Sequence, residues 1–438
     1  MQLTLNKRRT FLIAFAFFAI LMLWQVYYYY VPLYLDNLLT QKFGVKNWSD
    51  IIGHIMSLDN LSAIIIIPLF GWLSDRTKTR LGRRIPYIIC GSLLSLALFP
   101  LICVMYIMNQ FAWYFVVVVL LVFSMAAFRS PAVALMPDTT PKPLRTPANA
   151  IINFVGYLGA IIGSGLTIIF TMKNETLTIV PFAVTSVMLA VVIVVFLLRF
   201  RENRVVESVK AELLEGERQS ETIEAVNPDQ PLSRRDKFNF GVIIACVFFC
   251  WFAFTALQTF GSLYGERVLH TDKWGMCTTA LAVASLATFL PSIWLSKHIG
   301  RKWSVVLGLG IVIVAIVVAA LFATKVNFML VVALFALSGI GWAIVMVNSY
   351  PMFVEMSTSK NVGRITGIYY FVSQGAMFLT SNVSGYVFKW LGLEVYFYYA
   401  IAFMSLAFVI CFFFRQKRTG ARPEKVGKLT TFILKRKK

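Results

Sequence analysis

The sequence predicts an all-α integral membrane protein whose twelve transmembrane helices form two six-helix repeats. Composition is the first observation: 58% of the 438 residues are hydrophobic and the mean hydropathy is +0.74, well above the range of soluble domains. The second is segment length, because a bilayer crossing requires about 20 apolar residues. Twelve such segments occur, at 11–35, 51–73, 86–108, 111–136, 147–171, 177–199, 239–264, 275–297, 303–323, 327–356, 363–388 and 393–414. No cleavage site follows the first of them, so we expect that helix to be retained.

The distribution of positive charge predicts the orientation of these helices. The formal net charge of +21 would by itself suit a nucleic-acid-binding protein. Most Lys and Arg residues, however, fall at the two ends and in alternate loops, which lie on one side of a twelve-helix chain. The positive-inside rule therefore predicts a bacterial plasma-membrane protein with both termini in the cytoplasm. We expect its basic tail to contact anionic lipid, and we expect no nucleic-acid partner.

A polar segment interrupts the hydrophobic pattern after the sixth helix. It is rich in Glu, carries mixed charge and contains two prolines, so we expect a solvated cytoplasmic linker that is helical in part. The predicted units are an N-terminal half at 1–199, this linker at 200–238, a C-terminal half at 239–414 and a basic tail at 415–438.

The two halves repeat each other in sequence. WLSDRTKTRLGRR, from Trp72, matches WLSKHIGRK, from Trp294, at an offset of 222 residues, and the fifth and eleventh segments align at an offset of 217. In that register one helix face carries mostly small or polar residues in both segments. These are Asn149, Asn153, Gly156, Ala160, Gly163 and Thr167 in the fifth segment and Thr366, Tyr370, Ser373, Met377, Thr380 and Ser384 in the eleventh. Close helix packing and the wall of a central cavity both explain such a stripe.

The loop GWLSDRTKTRLGRR closely resembles the signature loop between the second and third helices of the major facilitator superfamily. SDRTKTRLGRRIPY and ALMPDTTPKPLRTPANA together resemble one subgroup, the glycoside–pentoside–hexuronide:cation symporters, and within it the sucrose-transporter-like branch. The resemblance implies two parallel repeats around a central cavity, and secondary active transport by alternating access. It also implies that Asp75 helps to latch the two halves when the inner gate is closed.

The charged residues beside this loop are the candidate cytoplasmic gate. Asp75 lies where the second helix meets the cytoplasm, and Gly71 lets another helix approach closely. A carboxylate there can bind arginine or the N-terminus of a helix, and Asp138 is the expected partner of Arg83 or Arg84. The full set is Gly71, Asp75, Arg76, Arg83, Arg84, Asp138, Arg301 and Glu355, with the last two expected to pair in the second half. The alternative is that these are solvated loop charges. Lys297 replaces the aspartate in the second half, so either the latch is asymmetric or the second half uses Glu355 alone.

Asp59 is the candidate for the transport chemistry. It lies about 21 Å from the inner end of its helix at Leu73, slightly outside the midplane of a hydrocarbon core about 30 Å thick. An acid at that depth is costly without a cavity or a partner, so a functional role is the default hypothesis. The alternative is a shorter membrane span that begins after Asn60 and leaves Asp59 in the outer interface. His54 is the second candidate for a proton site.

Arg129 is the only cation in the interior of a predicted span, away from its ends. It lies about 12 Å above Pro137, roughly 9 Å from Asp59 in depth, so a direct ion pair is left open. A cavity role is preferred, although a snorkelling side chain is the alternative.

The residues of the second and fourth helices bear on the coupling ion. In the sodium-coupled melibiose-type branch the second helix carries two acids, and the aligned positions here are Ala63 and Ile67; the acid of the fourth helix is replaced by Arg129. Sodium prefers several oxygen ligands, whereas a proton needs one titratable group, for which Asp59 is the best candidate. The sequence therefore predicts proton coupling rather than sodium coupling, with no cofactor and no metal site.

The predicted cavity lining is rich in amides and aromatic rings. These groups suit a neutral sugar or glycoside, whose hydroxyls form hydrogen bonds while its C–H face packs on a ring. The candidates are Trp24, Gln25, Tyr28, Asp59, Arg129, Asn153, Gln258, Trp342, Asn348 and Gln374. We expect a monomer.

Other classes of function fit less well. The sequence has no G-x-S-x-G, H-E-x-x-H or GK[ST] motif and only three histidines, so an enzyme is not predicted. Its six cysteines lack metal-ligand or redox spacing. A transporter or exporter of a non-sugar small molecule is the first alternative, and a non-transporting membrane sensor or scaffold is the second.

Overall fold

The computed structural model describes residues 3–44, 47–226, 234–325, 327–354 and 362–414. These residues form thirteen α-helices and no strand. The helices are α1 (Lys7–Phe43), α2 (Ser49–Arg76), α3 (Ile85–Ile107), α4 (Phe111–Thr139), α5 (Arg145–Ile169), α6 (Ile179–Arg199), α7 (Glu202–Val226), α8 (Arg234–Arg267), α9 (Gly275–Ile299), α10 (Arg301–Phe322), α11 (Phe328–Val354), α12 (Val362–Leu391) and α13 (Tyr396–Phe412).

Each of the twelve predicted membrane segments is a helix, and α7 is the additional helix of the linker. The predicted all-helical, twelve-helix class is therefore confirmed. Among the described residues, eleven helices are long and apolar enough to cross a membrane. The exception is α12, the eleventh membrane helix, whose predicted stripe includes Thr366, Ser373, Thr380 and Ser384.

Small residues of the stripe on α5 pack against α1. A Cβ on Gly156 would lie 2.9 Å from Leu21, and one on Gly163 would lie 2.6 Å from the carbonyl oxygen of Met22. The packing interpretation of the stripe therefore holds at Gly163, where only glycine lets the two backbones come so close, whereas Gly156 meets the flexible end of the Leu21 side chain.

The two halves are joined at one end of the bundle. We call this end, which carries the connections at 44–48, 170–178, 268–274 and 392–395, the far face. The opposite end, which carries α7 and the loop at 77–84, is the linker face. Along α2 the buried residues run from Ser49 to Ala63, whereas only Ser74 is buried beyond them. Trp72 and the equivalent Trp294 are 49% and 63% exposed. The polar contacts between the halves that the described residues form lie toward the far face, so we place the opening of the central space at the linker face.

The linker begins with a helix that is docked on the first half. The side chain of Glu202, the first residue of α7, is only 1% exposed. Its Oε2 accepts hydrogen bonds from the backbone N–H groups of Arg84, at 2.8 Å, and Ile85, at 3.0 Å. Asn203 donates to the carbonyl oxygens of Thr79 and Arg80, both at 3.1 Å. Glu202 therefore caps α3, where a negative charge suits the positive helix end. The expectation of a wholly solvated linker is wrong for this part.

We expect the Glu202→Ala variant to lower the free energy of unfolding by about 2 kcal/mol, because two backbone donors of α3 lose their buried acceptor. Thermal unfolding of the purified protein in detergent measures the effect. Glu207→Ala is the matched control, since that glutamate is exposed on the same helix. Equal unfolding temperatures for the two variants would contradict the capping role.

Candidate functional site

Asp59 lies within α2 and is almost completely buried, at 5% exposure. Its Oδ1 accepts hydrogen bonds from the backbone N–H of Asn60, at 2.6 Å, and from the Asn60 side-chain amide, at 2.5 Å. Its Oδ2 accepts the hydroxyl hydrogen of Tyr28, on α1. Because α2 begins at Ser49, Asp59 lies well inside the helix, ten residues from its first residue.

Two aromatic residues of α1 lie beside this carboxyl. The rings of Trp24 and Tyr28 stack, with centroids 5.5 Å apart and planes at 27°. Both side chains are partly exposed, whereas Tyr27 is fully buried and packs edge-on against each of them. A solute in the central space would therefore contact Trp24 and Tyr28 first, with Asp59 behind them.

Arg129, on α4, is partly exposed and forms no ion pair with Asp59. Among the ion pairs of up to 4.0 Å between described residues, none joins these two side chains. Arg129 interacts electrostatically with Asp59, Tyr28 and also Tyr370, which α12 of the other half contributes. The predicted proximity of Asp59 and Arg129 is thus present without a direct pair.

The predicted cavity residues of the second half divide into two groups. Gln258 and Gln374 are partly exposed, as are Gln25 and Asn153 of the first half. Trp342 is 5% exposed, and its ring stacks on Phe254 with centroids 3.8 Å apart. Asn348 is 1% exposed and donates to the Ile344 carbonyl oxygen of its own helix at 2.8 Å. Asn348 therefore does not line an open space in this structure, and the cavity role of Trp342 stays a prediction.

His54 belongs to a different part of the molecule from Asp59. Its Nδ1 contacts Asn382 and its Nε2 lies 3.0 Å from the Tyr386 hydroxyl, so it joins α2 of the first half to α12 of the second. Nearby, Lys389 forms an ion pair with Asp50 at 2.6 Å. His54 is thus part of the contact that closes the far face.

A second set of contacts closes the far face beside α1 and α8. Arg267 forms an ion pair with Asp36 at 2.5 Å. The hydroxyl of Tyr29 donates to the carbonyl oxygen of Asp272 at 2.6 Å. Asp36 and Arg267 lie just beyond the ends of the predicted spans 11–35 and 239–264, and nothing in the sequence indicates that they pair.

Two glycine crossings complete the far-face closure, and the internal repeat relates them. A Cβ on Gly53 of α2 would overlap the carbonyl oxygen of Ser381 on α12. A Cβ on Gly275 of α9 would overlap the Thr167 hydroxyl and lie 3.2 Å from the carbonyl oxygen of Ser164 on α5. Gly53 and Gly275 are 222 residues apart and Ser164 and Ser381 are 217 apart, the two offsets of the sequence repeat. Equivalent contacts therefore close both sides of the same face.

The predicted gate residues of the first half form one charge cluster on the linker face. Asp138 binds Arg83 at 2.8 Å and Arg84 at 2.9 Å, so both expected pairings are present. Arg84 also binds Asp75 at 2.5 Å. The Gly71 carbonyl oxygen accepts from Arg84 at 3.3 Å.

These pairings lie within the first half, so the structure does not show Asp75 bridging the two halves. Arg76 lies outside the cluster, 4.1 Å above the Trp72 ring. Arg301 begins α10, and Glu355 lies outside the described residues. The proposed second-half pair therefore stays a prediction.

Twelve long helices in two halves, which meet at one face around a buried acid, are the architecture of a membrane transporter. A family model of the Major Facilitator Superfamily matches residues 13–289 and 273–438. The chain belongs to this superfamily.

Solved structures share the fold at low sequence identity. The nucleoside transporter NupG matches with a TM-score of 0.64 and 13% identity, over 93% of this chain and 98% of that one. A bacterial homologue of the iron transporter ferroportin, in an inward-facing state, matches with a TM-score of 0.64 and 14% identity, over 93% and 99%. A peptide transporter, POT, matches with a TM-score of 0.69 and 12% identity, over 92% and 93%. No curated protein matches the sequence.

Proposed function

We propose that this protein is a proton-coupled symporter of a neutral sugar or glycoside that works by alternating access. The observation that carries proton coupling is the environment of Asp59. Its two oxygens accept from an N–H, an amide and a phenol hydroxyl. A bound sodium ion requires several oxygen ligands turned toward it, whereas both oxygens of Asp59 already accept from protein donors, and a single buried carboxyl is enough to bind a proton.

The proposal of a sugar substrate rests on the side chains around the central space and on the resemblance of the signature loops to the glycoside symporters. Trp24 and Tyr28 offer partly exposed rings beside that space, and Gln25, Asn153, Gln258 and Gln374 offer partly exposed amides. This combination of ring faces and neutral hydrogen-bonding groups suits a polyhydroxylated ring.

In the proposed cycle the far face opens to admit solute and proton, then closes through the contacts of α2 with α12 and of α5 with α9. The open linker face of the structure corresponds to the stage that releases both into the cytoplasm. The proposed setting is the bacterial plasma membrane, with a monomeric protein and both termini in the cytoplasm.

A non-sugar solute is the second candidate, and Arg129 is the observation that favours it. A partly exposed cation without an ion pair to the nearby acid suits a solute with a negative group. A sensor or scaffold without transport is the remaining alternative.

We expect proteoliposomes to accumulate one sugar of a labelled panel when an inward pH gradient is imposed, and not when a sodium gradient replaces it. The panel contains glucose, galactose, sucrose, maltose, lactose, a nucleoside and glucuronate. Accumulation driven by sodium at equal pH would contradict proton coupling. Accumulation of the nucleoside or of glucuronate alone would contradict the neutral-sugar substrate, and no uptake of any solute would favour the non-transporting alternative.

A further inference from the structure

Tyr28 occupies a position between the solute space and the proposed proton site. Its ring stacks on Trp24, one helical turn earlier on α1, and is partly exposed, and Asp59 and Arg129, on α2 and α4, lie within electrostatic range of it. Its hydroxyl donates to Oδ2 of Asp59, which is itself buried. One side chain thus contacts both the region where a solute would lie and the acid that would take the proton.

We propose that Tyr28 is the positioning residue that couples solute binding to protonation of Asp59; this inference rests on the proposed function. A solute that packs against Trp24 and Tyr28 displaces the phenol from the carboxylate. Asp59 then loses a donor that stabilises its charged form, so its protonation becomes more favourable. Because linkage is reciprocal, protonation of Asp59 in turn strengthens solute binding. Solute and proton therefore bind together, as symport requires.

Tyr28 keeps its own proton throughout this cycle. When Asp59 is charged, the phenol O–H donates to it, and when Asp59 is protonated, the acid no longer requires that donor. The proton enters from the far-face side and leaves toward the linker face, so Tyr28 controls its affinity without carrying it.

The other groups around Asp59 do not provide the same link. Asn60 lies on the same helix and holds the other carboxylate oxygen. Arg129, on α4, acts on Asp59 and on Tyr370 of α12 only through their electrostatic interaction. Tyr27, on α1, is fully buried, and its hydroxyl has no hydrogen-bond partner among the described residues. His54, on α2, contacts Asn382 and Tyr386 of α12 rather than Asp59.

The test is the pH dependence of equilibrium binding of labelled sucrose, maltose and lactose to the purified protein, with no gradient present. In the wild type we expect the affinity for the bound sugar to rise roughly tenfold between pH 8 and pH 5.5. In Tyr28→Phe, which keeps the ring, we expect an affinity that no longer depends on pH and stays within about threefold of the wild-type value at pH 5.5. Tyr27→Phe is the matched control and should retain the wild-type pH dependence.

The outcomes separate this inference from the proposed function. Wild-type pH dependence in Tyr28→Phe, beside proton-driven uptake by the wild type, overturns the role of Tyr28 alone. An affinity that is independent of pH in the wild type overturns proton coupling and this inference together. Loss of pH dependence in Tyr27→Phe as well as in Tyr28→Phe also overturns the specific role of Tyr28.

Discussion

Replacing Gly53 with leucine is expected to abolish transport and to hold the protein open at the far face. The α2–α12 crossing leaves no room for a side chain, since a Cβ on Gly53 would already overlap the Ser381 carbonyl oxygen. A further close contact flanks the crossing, because a Cβ on Gly385 would lie 2.6 Å from the carbonyl oxygen of Ser49. A leucine at Gly53 can be accommodated only if the two helices separate, which destabilises the closed far face by about one to three kcal/mol, roughly a five- to 150-fold loss of the closed state.

Thiol labelling measures the trapped state. A single cysteine in place of Gln258, in a background without the native cysteines, reports which side reaches the central space. We expect a membrane-impermeant maleimide to label it from the linker face in the parent and from the far face in Gly53→Leu.

Gly165→Leu is the matched control for this prediction, because a side chain added at that glycine of α5 meets open space. It should label and transport like the parent. Labelling of Gly53→Leu from the linker face, with transport intact, would contradict the proposed closure.

The Asp59→Asn variant is expected to lose uphill transport while it still exchanges solute. Asparagine keeps the size of the side chain and can still accept from Tyr28, so the structure around it should be retained. It cannot bind a proton, so the solute gradient is no longer linked to the pH gradient. We expect accumulation to fall to the equilibrium level, with exchange of internal for external sugar within about tenfold of the wild type.

A matched control for this variant is Glu394→Gln, which neutralises an exposed carboxyl at the far face. It should accumulate solute as the wild type does. Uphill accumulation by Asp59→Asn would show that another group carries the proton.

The sequence predicted the helices well because hydrophobic length and the distribution of cations are local properties. It also identified Asp59 and the pairing of Asp138 with Arg83 and Arg84, because a buried acid and a charge cluster require partners wherever the chain brings them together. The offsets of the internal repeat predict which residues of the two halves are equivalent. The glycine crossings at Gly53 and Gly275 agree with these offsets.

What the sequence could not give were the directions of individual side chains. Asn348 has the residue type expected of a cavity amide, but its side chain donates to the Ile344 carbonyl oxygen of its own helix. Packing, rather than residue type, determines that direction. His54 is titratable and near Asp59 in sequence, yet it faces the other half at the far-face contact. In the sequence Glu202 is one of many linker acids. Its role as a buried cap depends on a tertiary contact with the N-terminus of α3, which the local sequence does not indicate.

The most direct test of the central claim is movement of protons with the solute. Sugar is added to lightly buffered proteoliposomes without any imposed gradient, and the external pH is recorded for the wild type and Asp59→Asn. The account predicts that sugar entry makes the external medium alkaline in the wild type and leaves it unchanged in Asp59→Asn. Sugar entry into wild-type vesicles with no change of external pH would contradict proton symport through Asp59.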